Sequence, residues 1–161
     1  AIHTGTTAAP PRSHTPPTAR LFEPPHGGLP RQRWFFHADP AEPRAAALRE
    51  RGADTLPMPG ANGKVDLGAA LQELGRREVN ELHVEAGAKL NASLLREGWV
   101  DELLVYLAPR LLGQGAGMAP FGPLERLADG VALRWLDTLP VGTDLRLRAR
   151  LEGRDAFLTD H

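Results

Sequence analysis

The stretch Val84-Glu85-Ala86-Gly87-Ala88-Lys89-Leu90-Asn91-Ala92-Ser93 holds the residue types best placed for chemistry. An apolar run closes on a carboxylate, a glycine turn follows, and helix-forming residues begin at once. The first turn of a helix exposes unpaired N–H groups and the positive end of its dipole, which together attract a phosphate. Gly87 has no side chain to keep a ligand from that backbone, and Lys89, Asn91 and Ser93 add polar donors. On spacing alone an ordinary strand-to-helix turn is the favoured reading, because neither GxGxxG nor GxxxxGK[ST] occurs. Glu85 is harder to set aside. A carboxylate closing an apolar strand needs a partner if it is buried, and a salt bridge to an arginine such as Arg110 is the alternative to a ligand.

Other chemistries find less support. The six histidines (His3, His14, His26, His37, His83, His161) show no metal-ligand spacing, so no metal is expected. His83 reads as a packed strand residue. The chain has no cysteine, which removes disulfides, thiolate nucleophiles and Cys-ligated zinc. There is no GxSxG elbow. A formal net charge of -1 with nearly balanced acids and bases lacks the footprint of a nucleic-acid binder or an anionic-membrane binder. No apolar run is long enough to cross a bilayer, no signal-peptide core is present, and a cytoplasmic location is expected. The loop Leu112-Gly113-Gln114-Gly115-Ala116-Gly117 reads as a mobile connection or subunit contact. The arginines at 146, 148 and 150 read as a solvated strand face.

The elements that must position these residues follow from periodicity. Residues 1–33 carry seven of the fifteen prolines and are expected to be irregular or disordered, with 34–153 as the domain and 154–161 as a tail. Trp34-Phe35-Phe36-His37 suits a buried strand. Asp39 caps a helix with Pro40 first, running through Ala45 to Arg51 until Gly52 stops it. Thr55-Leu56-Pro57-Met58 is a weaker strand, and Pro57 marks an edge or a strand end. Asp66 caps a second helix with Leu67, Ala70, Leu71 and Leu74 on one face. Glu81–Glu85 is the next strand. A third helix turns Leu90, Leu94 and Leu95 inward and stops at Gly98. Leu103–Ala108 reads as a buried strand ended by Pro109. Alternation of strands and helices implies βαβ crossovers and a largely parallel sheet. The chain closes on an antiparallel hairpin, with Leu133–Leu136, a Pro140–Thr143 turn, and alternating Leu145, Leu147, Ala149 and Leu151. The fold class is therefore α/β with a mixed, mainly parallel sheet.

From about Asn80 onward the sequence resembles the reductase domain of the bifunctional riboflavin-biosynthesis deaminase/reductase. The residues that carry this are Asn80–Gly87, Leu90, Leu94–Gly98, Val100–Leu103, Tyr106–Pro109, Leu111–Gly113 and Gly142–Arg146. Similarity continues more weakly back to Trp34. The resemblance implies a dihydrofolate-reductase-like fold, a homodimer, and NADPH-dependent reduction of 5-amino-6-(5-phosphoribosylamino)uracil to its ribityl product. It also implies that Glu85 contacts this small-molecule substrate and that Gly87, Ala88, Lys89, Leu90, Asn91, Ala92 and Ser93 contact the NADPH phosphates. Many relatives have Pro-Thr at Ala88-Lys89, a change that backbone contacts survive. The family's HxE and PCxxC zinc motif is not in this chain, so no deaminase activity is expected. The family's opening strand and helix, with a Ser-Leu-Asp-Gly segment and a glycine-threonine loop, are not matched either. The domain therefore reads as incomplete at its N-terminus, and residues 1–14 resemble neither part. No catalytic acid or base is assigned. An inactive remnant or dimerisation module is the alternative reading.

Overall fold

The computed structural model describes residues 3–5, 32–120 and 122–155, with 3–5 and 62 by their backbone alone. The expectations for the rest of the proline-rich N-terminus and for the end of the tail fall outside the described residues. The chain divides into two compact units, Ala1–Glu85 and Ala86–His161.

The first unit is built on three parallel strands, β1 (His3–Gly5), β2 (Trp34–His37) and β3 (Asp54–Pro57), in the order β1-β2-β3. The apolar run at 34–37 takes the central place, paired to Gly5 and Pro57 at its last residue. Successive side chains in a strand point to opposite faces, which divides β2 cleanly. Phe36 is buried to 1% exposure in a core with Ala38, Val65, Ala70 and Leu74, and Trp34, Leu56 and Leu71 pack against it. Residue periodicity predicts no strand before Trp34, so β1 is an addition.

Between β2 and β3 the helix is shorter than expected. Helix α1 spans Ala45–Glu50, with Arg44 at its N-cap. Asp39 instead closes a turn, accepting from the Ala41 N–H at 2.9 Å. Pro43 explains the difference, because a proline disfavours helical backbone at the residue before it, here Glu42. Glu42 takes over at the helix start. It accepts from the Arg44 backbone at 3.2 Å and pairs with the Arg44 guanidinium at 2.7 Å. That guanidinium holds the Glu42 carboxyl below the usual carboxylate range. Gly52, at φ +77°, ends the segment as expected.

After β3 the chain doubles back at Pro59 and Val65, and a Cβ on Gly60 would lie 2.9 Å from the Asp66 nitrogen. Asp66 caps α2 (Leu67–Arg76), accepting from the Ala69 N–H at 2.8 Å. Removing this acceptor leaves an orphan donor in the first turn. Asp66→Ala is expected to destabilise the chain by about 1 kcal/mol, read from its urea midpoint, with Asp66→Asn near wild type. An unchanged midpoint in the alanine variant would mean the cap adds nothing. Arg77 lies over the Trp34 ring at 5.1 Å and pairs with Glu73 at 2.8 Å, shielding the edge of the core.

Residues 81–85 run without strand pairing, contrary to the expected strand. Alternating residues alone do not make a strand. It needs a ladder partner, and no described residue supplies one.

The second unit holds α3 (Ala88–Arg96) and three antiparallel strands, β4 (Glu102–Leu107), β5 (Leu133–Val141) and β6 (Asp144–Leu151), in the order β4-β6-β5. The expected mixed α/β class holds, with parallel strands in the first unit and the antiparallel hairpin in the second. The expectation of a buried β4 is corrected. Among the described residues only β6 pairs with it, which leaves it at the edge of this sheet with Leu104, Tyr106 and Leu107 exposed. A run of apolar residues reads alike in a buried strand and in an edge strand. The closing hairpin forms as expected, through a two-residue turn with Gly142 at φ +60°. A bulge between Trp135 and Asp137 sets Asp137 opposite Arg148. Without the extra residue Asp137 would face the leucine side of the sheet.

The arginine face is ion-paired rather than simply solvated. Glu102 on β4 bridges Arg148 at 2.8 Å and Arg150 at 3.1 Å. Asp137 on β5 bridges Arg148 at 3.0 Å and Arg146 at 3.1 Å. Three strands are therefore tied across one face. The Arg148 guanidinium, and then Arg150, hold the Glu102 carboxyl below its usual range.

Candidate functional site

Each half of the Glu85–Ser93 stretch belongs to a different unit. In the first, Glu85 is not the buried carboxylate that an apolar strand end would create. Its side chain is 88% exposed, and the His83 imidazole lies beside it, with Nε2 3.6 Å from Oε1. His83 itself is 63% exposed and does not pack as expected. Both corrections have one cause: the segment is an unpaired extended stretch rather than a covered strand.

In the second unit, Gly87 stands at the N-cap of α3 with φ -73° and ψ 161°. Any residue can adopt that backbone, so the glycine is not required for its dihedrals. What it leaves is room, since a Cβ there would meet nothing within 4 Å. The Gly87 carbonyl accepts from the N–H groups of both Leu90 and Asn91, closing the first turn. No side chain caps the helix end. Its foremost donors thus have no side-chain cap, the exposed Lys89 stands beside them, and such a donor set suits an anionic phosphate group.

The expected contact residues divide once their surroundings are known. Ala88 and Lys89 belong to the open first turn. Leu90 is half-buried, and Ala92, at 2% exposure, serves the packing of the unit. Asn91 is committed elsewhere: its side-chain amide donates to the Met118 carbonyl at 3.2 Å and to Ala86 at 3.4 Å. It anchors the end of the glycine-rich 112–117 loop to the start of the helix. Ser93 lies more than one turn further on, away from the open end.

Two participants escaped the sequence reading. His83 stands two residues before Glu85, a spacing that puts both side chains on one side of an extended chain. That signal was available. The Met118 carbonyl was not, because its partner lies 27 residues away. Among the described residues no group of three His, Cys, Asp or Glu side chains is arranged to hold a metal ion. No helix among them is long and apolar enough to cross a membrane.

Parallel strands with intervening helices in the first unit, and an open glycine-led helix start with an antiparallel hairpin in the second, make this a mixed α/β protein. The chain belongs to the RibD C-terminal domain family, whose model matches residues 14–147. It is 42% identical over 94 residues to the riboflavin biosynthesis protein RibD of Escherichia coli K12, covering 58% of this chain and 26% of that protein. It is 30% identical over 87 residues to the 5-amino-6-(5-phosphoribosylamino)uracil reductase of Buchnera aphidicola, covering 53% of this chain and 42% of that one. Among solved structures, Acinetobacter baumannii RibD superposes with a TM-score of 0.68 at 29% identity, over 87% of this chain and 35% of that one. The matches thus cover less than half the length of each of these relatives.

Proposed function

We propose that this chain carries the reductase chemistry of riboflavin biosynthesis, reducing 5-amino-6-(5-phosphoribosylamino)uracil to its ribitylamino product with NADPH. Family membership supports the reaction class, and the uncapped, unobstructed start of α3 is the observation that carries the cofactor reading. In the reduction, C1′ of the ribosyl group gains a hydride and the former ring oxygen gains a proton. NADPH, when bound, supplies the hydride. The chain's own contribution is orientation and electrostatics.

In this reading the first-turn N–H groups of Ala88 and Lys89 hold a cofactor phosphate, and the Lys89 ammonium adds charge. Leu90 and Ala92 shape the helix behind that contact, while Asn91 fixes the neighbouring loop. Ser93 lies outside the contact. Gly87 keeps the approach clear, and Glu85, exposed and ionisable, accepts N–H groups of the aminopyrimidine. Residues 34–153 form the reductase portion, between an N-terminal segment 1–33 and a tail 154–161. The reaction is placed in the cytoplasm, and the working form is a homodimer. Exposed Trp135, Leu107 and Leu145 on the leucine face of the second sheet support a covered surface there. The same exposure favours a second reading, a dimerisation module without chemistry.

Calorimetric titration with NADPH, and with NADH for comparison, separates the two. The reductase reading expects saturable binding that prefers NADPH, weakened about two- to fivefold by Lys89→Ala. A folded chain that binds neither dinucleotide, yet elutes as a dimer, would leave the module reading in place.

A further inference from the structure

The turn that opens α3 is tied to a second segment of the same unit. Side chains of a helix lean toward its N-terminus, so Asn91 reaches back over the helix start. Its amide donates to the Met118 carbonyl at 3.2 Å, the firmer bond, and to the Ala86 carbonyl at 3.4 Å. Ala86 immediately precedes the Gly87 N-cap, so both carbonyls meet one amide at the uncapped end of the helix. The loop that ends at Met118 has little else to hold it. Gly113, Gly115 and Gly117 each have open space where a Cβ would stand, and Leu111 and Leu112 at its start are exposed. Among the described residues no other side chain hydrogen-bonds to residues 112–118.

We propose that Asn91 is a positioning residue that sets the 112–118 loop as a wall of the cofactor site at the start of α3. The proposal rests on the reading of that helix start as the phosphate contact of the dinucleotide. The Asn91 amide donors are engaged by two carbonyls, so they do not serve the cofactor directly. Their contribution is to hold a glycine-rich loop in one place before the cofactor arrives. Without the amide the loop samples many conformations, each glycine adding to the entropy that ordering must overcome. A cofactor that uses one of those conformations binds in proportion to its population. Losing the net contribution of such a hydrogen bond lowers that population on the order of two- to tenfold.

The experiment compares the full 161-residue chain with its Asn91→Ala and Asn91→Asp variants. It measures NADPH and NADH affinity by calorimetry, thermal midpoints, and hydrogen exchange of residues 112–118 with and without NADPH. The isosteric carboxylate cannot donate to a carbonyl, yet negative charge suits the first turn of a helix. Asn91→Asp therefore removes the tie to the loop without weakening α3. Exchange in 112–118 is expected to quicken in both variants, and NADPH to slow it in wild type. NADPH affinity of Asn91→Ala should fall about two- to tenfold, while Asn91→Asp keeps its thermal midpoint. Loop exchange unchanged in Asn91→Ala overturns the proposal, and so does wild-type NADPH affinity in that variant. A loop whose exchange NADPH does not slow overturns it as well. A midpoint that falls in both variants would assign Asn91 to stability alone, with the same consequence. A wild-type chain that binds neither dinucleotide overturns the underlying reading of the helix start instead, a distinguishable outcome.

Discussion

Replacing Phe36 with alanine is expected to lower the unfolding free energy by about 3–5 kcal/mol. Phe36 is the largest fully buried side chain of the core, at the centre of β2 and beneath α2. Removing its ring loses the transfer free energy of the aromatic group and leaves a cavity lined by Val65, Ala70 and Leu74. Those residues are small or held by helix and turn, so they collapse into the space only in part. Phe36→Leu keeps much of the volume and is expected to lose far less. Urea unfolding followed by far-ultraviolet circular dichroism measures both variants. Equal midpoints for alanine and leucine would mean that the first unit does not depend on this core.

The second large effect concerns the ion ladder of the antiparallel sheet. Glu102→Ala removes the shared partner of Arg148 and Arg150, two guanidinium groups that are partly buried and hydrogen-bonded to it. Solvent screens these part-exposed pairs, so Glu102→Ala is expected to lower the unfolding midpoint clearly but less than Phe36→Ala does. The pH dependence follows from the direction of the shift. The Arg148 and Arg150 guanidiniums depress the Glu102 carboxyl in the folded chain, so its contribution is fully present above the unfolded value. It is lost as pH falls through the lower, folded value. Thermal unfolding at neutral pH and at roughly pH 3 should show a wild-type advantage over Glu102→Ala that shrinks in acid. A constant advantage at both pH values would show that the ionised pair is not its source.

The parts of this fold that were legible in sequence are those whose cause is local. Asp66 before an amphipathic run, Gly52 and Gly98 after theirs, and the alternating leucines closed by Gly142 each act within a few residues. What escaped depends on partners distant in sequence. Three residues at 3–5 become a strand only because β2 lies beside them, and residues 81–85, with strand-like alternation, do not become one. β4 was legible as a strand but not as an edge, since its apolar run carries no mark of how many neighbours it has. Pro43 was the local signal passed over, and it moved a helix start from Pro40 to Ala45.

The candidate site divides in the same way. The glycine turn, the helix start and the position of Glu85 were readable, because they follow from residue order. That Asn91 holds Met118, and that Ala92 is packed, could be seen only with the chain folded. The pairing of His83 with Glu85 lies between these cases. The spacing announced a shared side, but the expected strand hid its exposure.

The layout of the second sheet also orders events in time. β5 and β6 are joined by a two-residue turn, so their pairing closes almost no loop and can form on the microsecond scale of an isolated hairpin. β4 meets β6 only through contacts such as Glu102 to Arg148, which span 46 residues. Its arrival must first meet the entropy of closing that long intervening chain. The hairpin is thus the template and β4 the latecomer. During synthesis the ribosome releases β4 well before β6, its strand partner among the described residues, exists. In that interval Leu104, Tyr106 and Leu107 lack the ladder that β6 later provides, and unpaired apolar strand of this kind is what aggregation exploits.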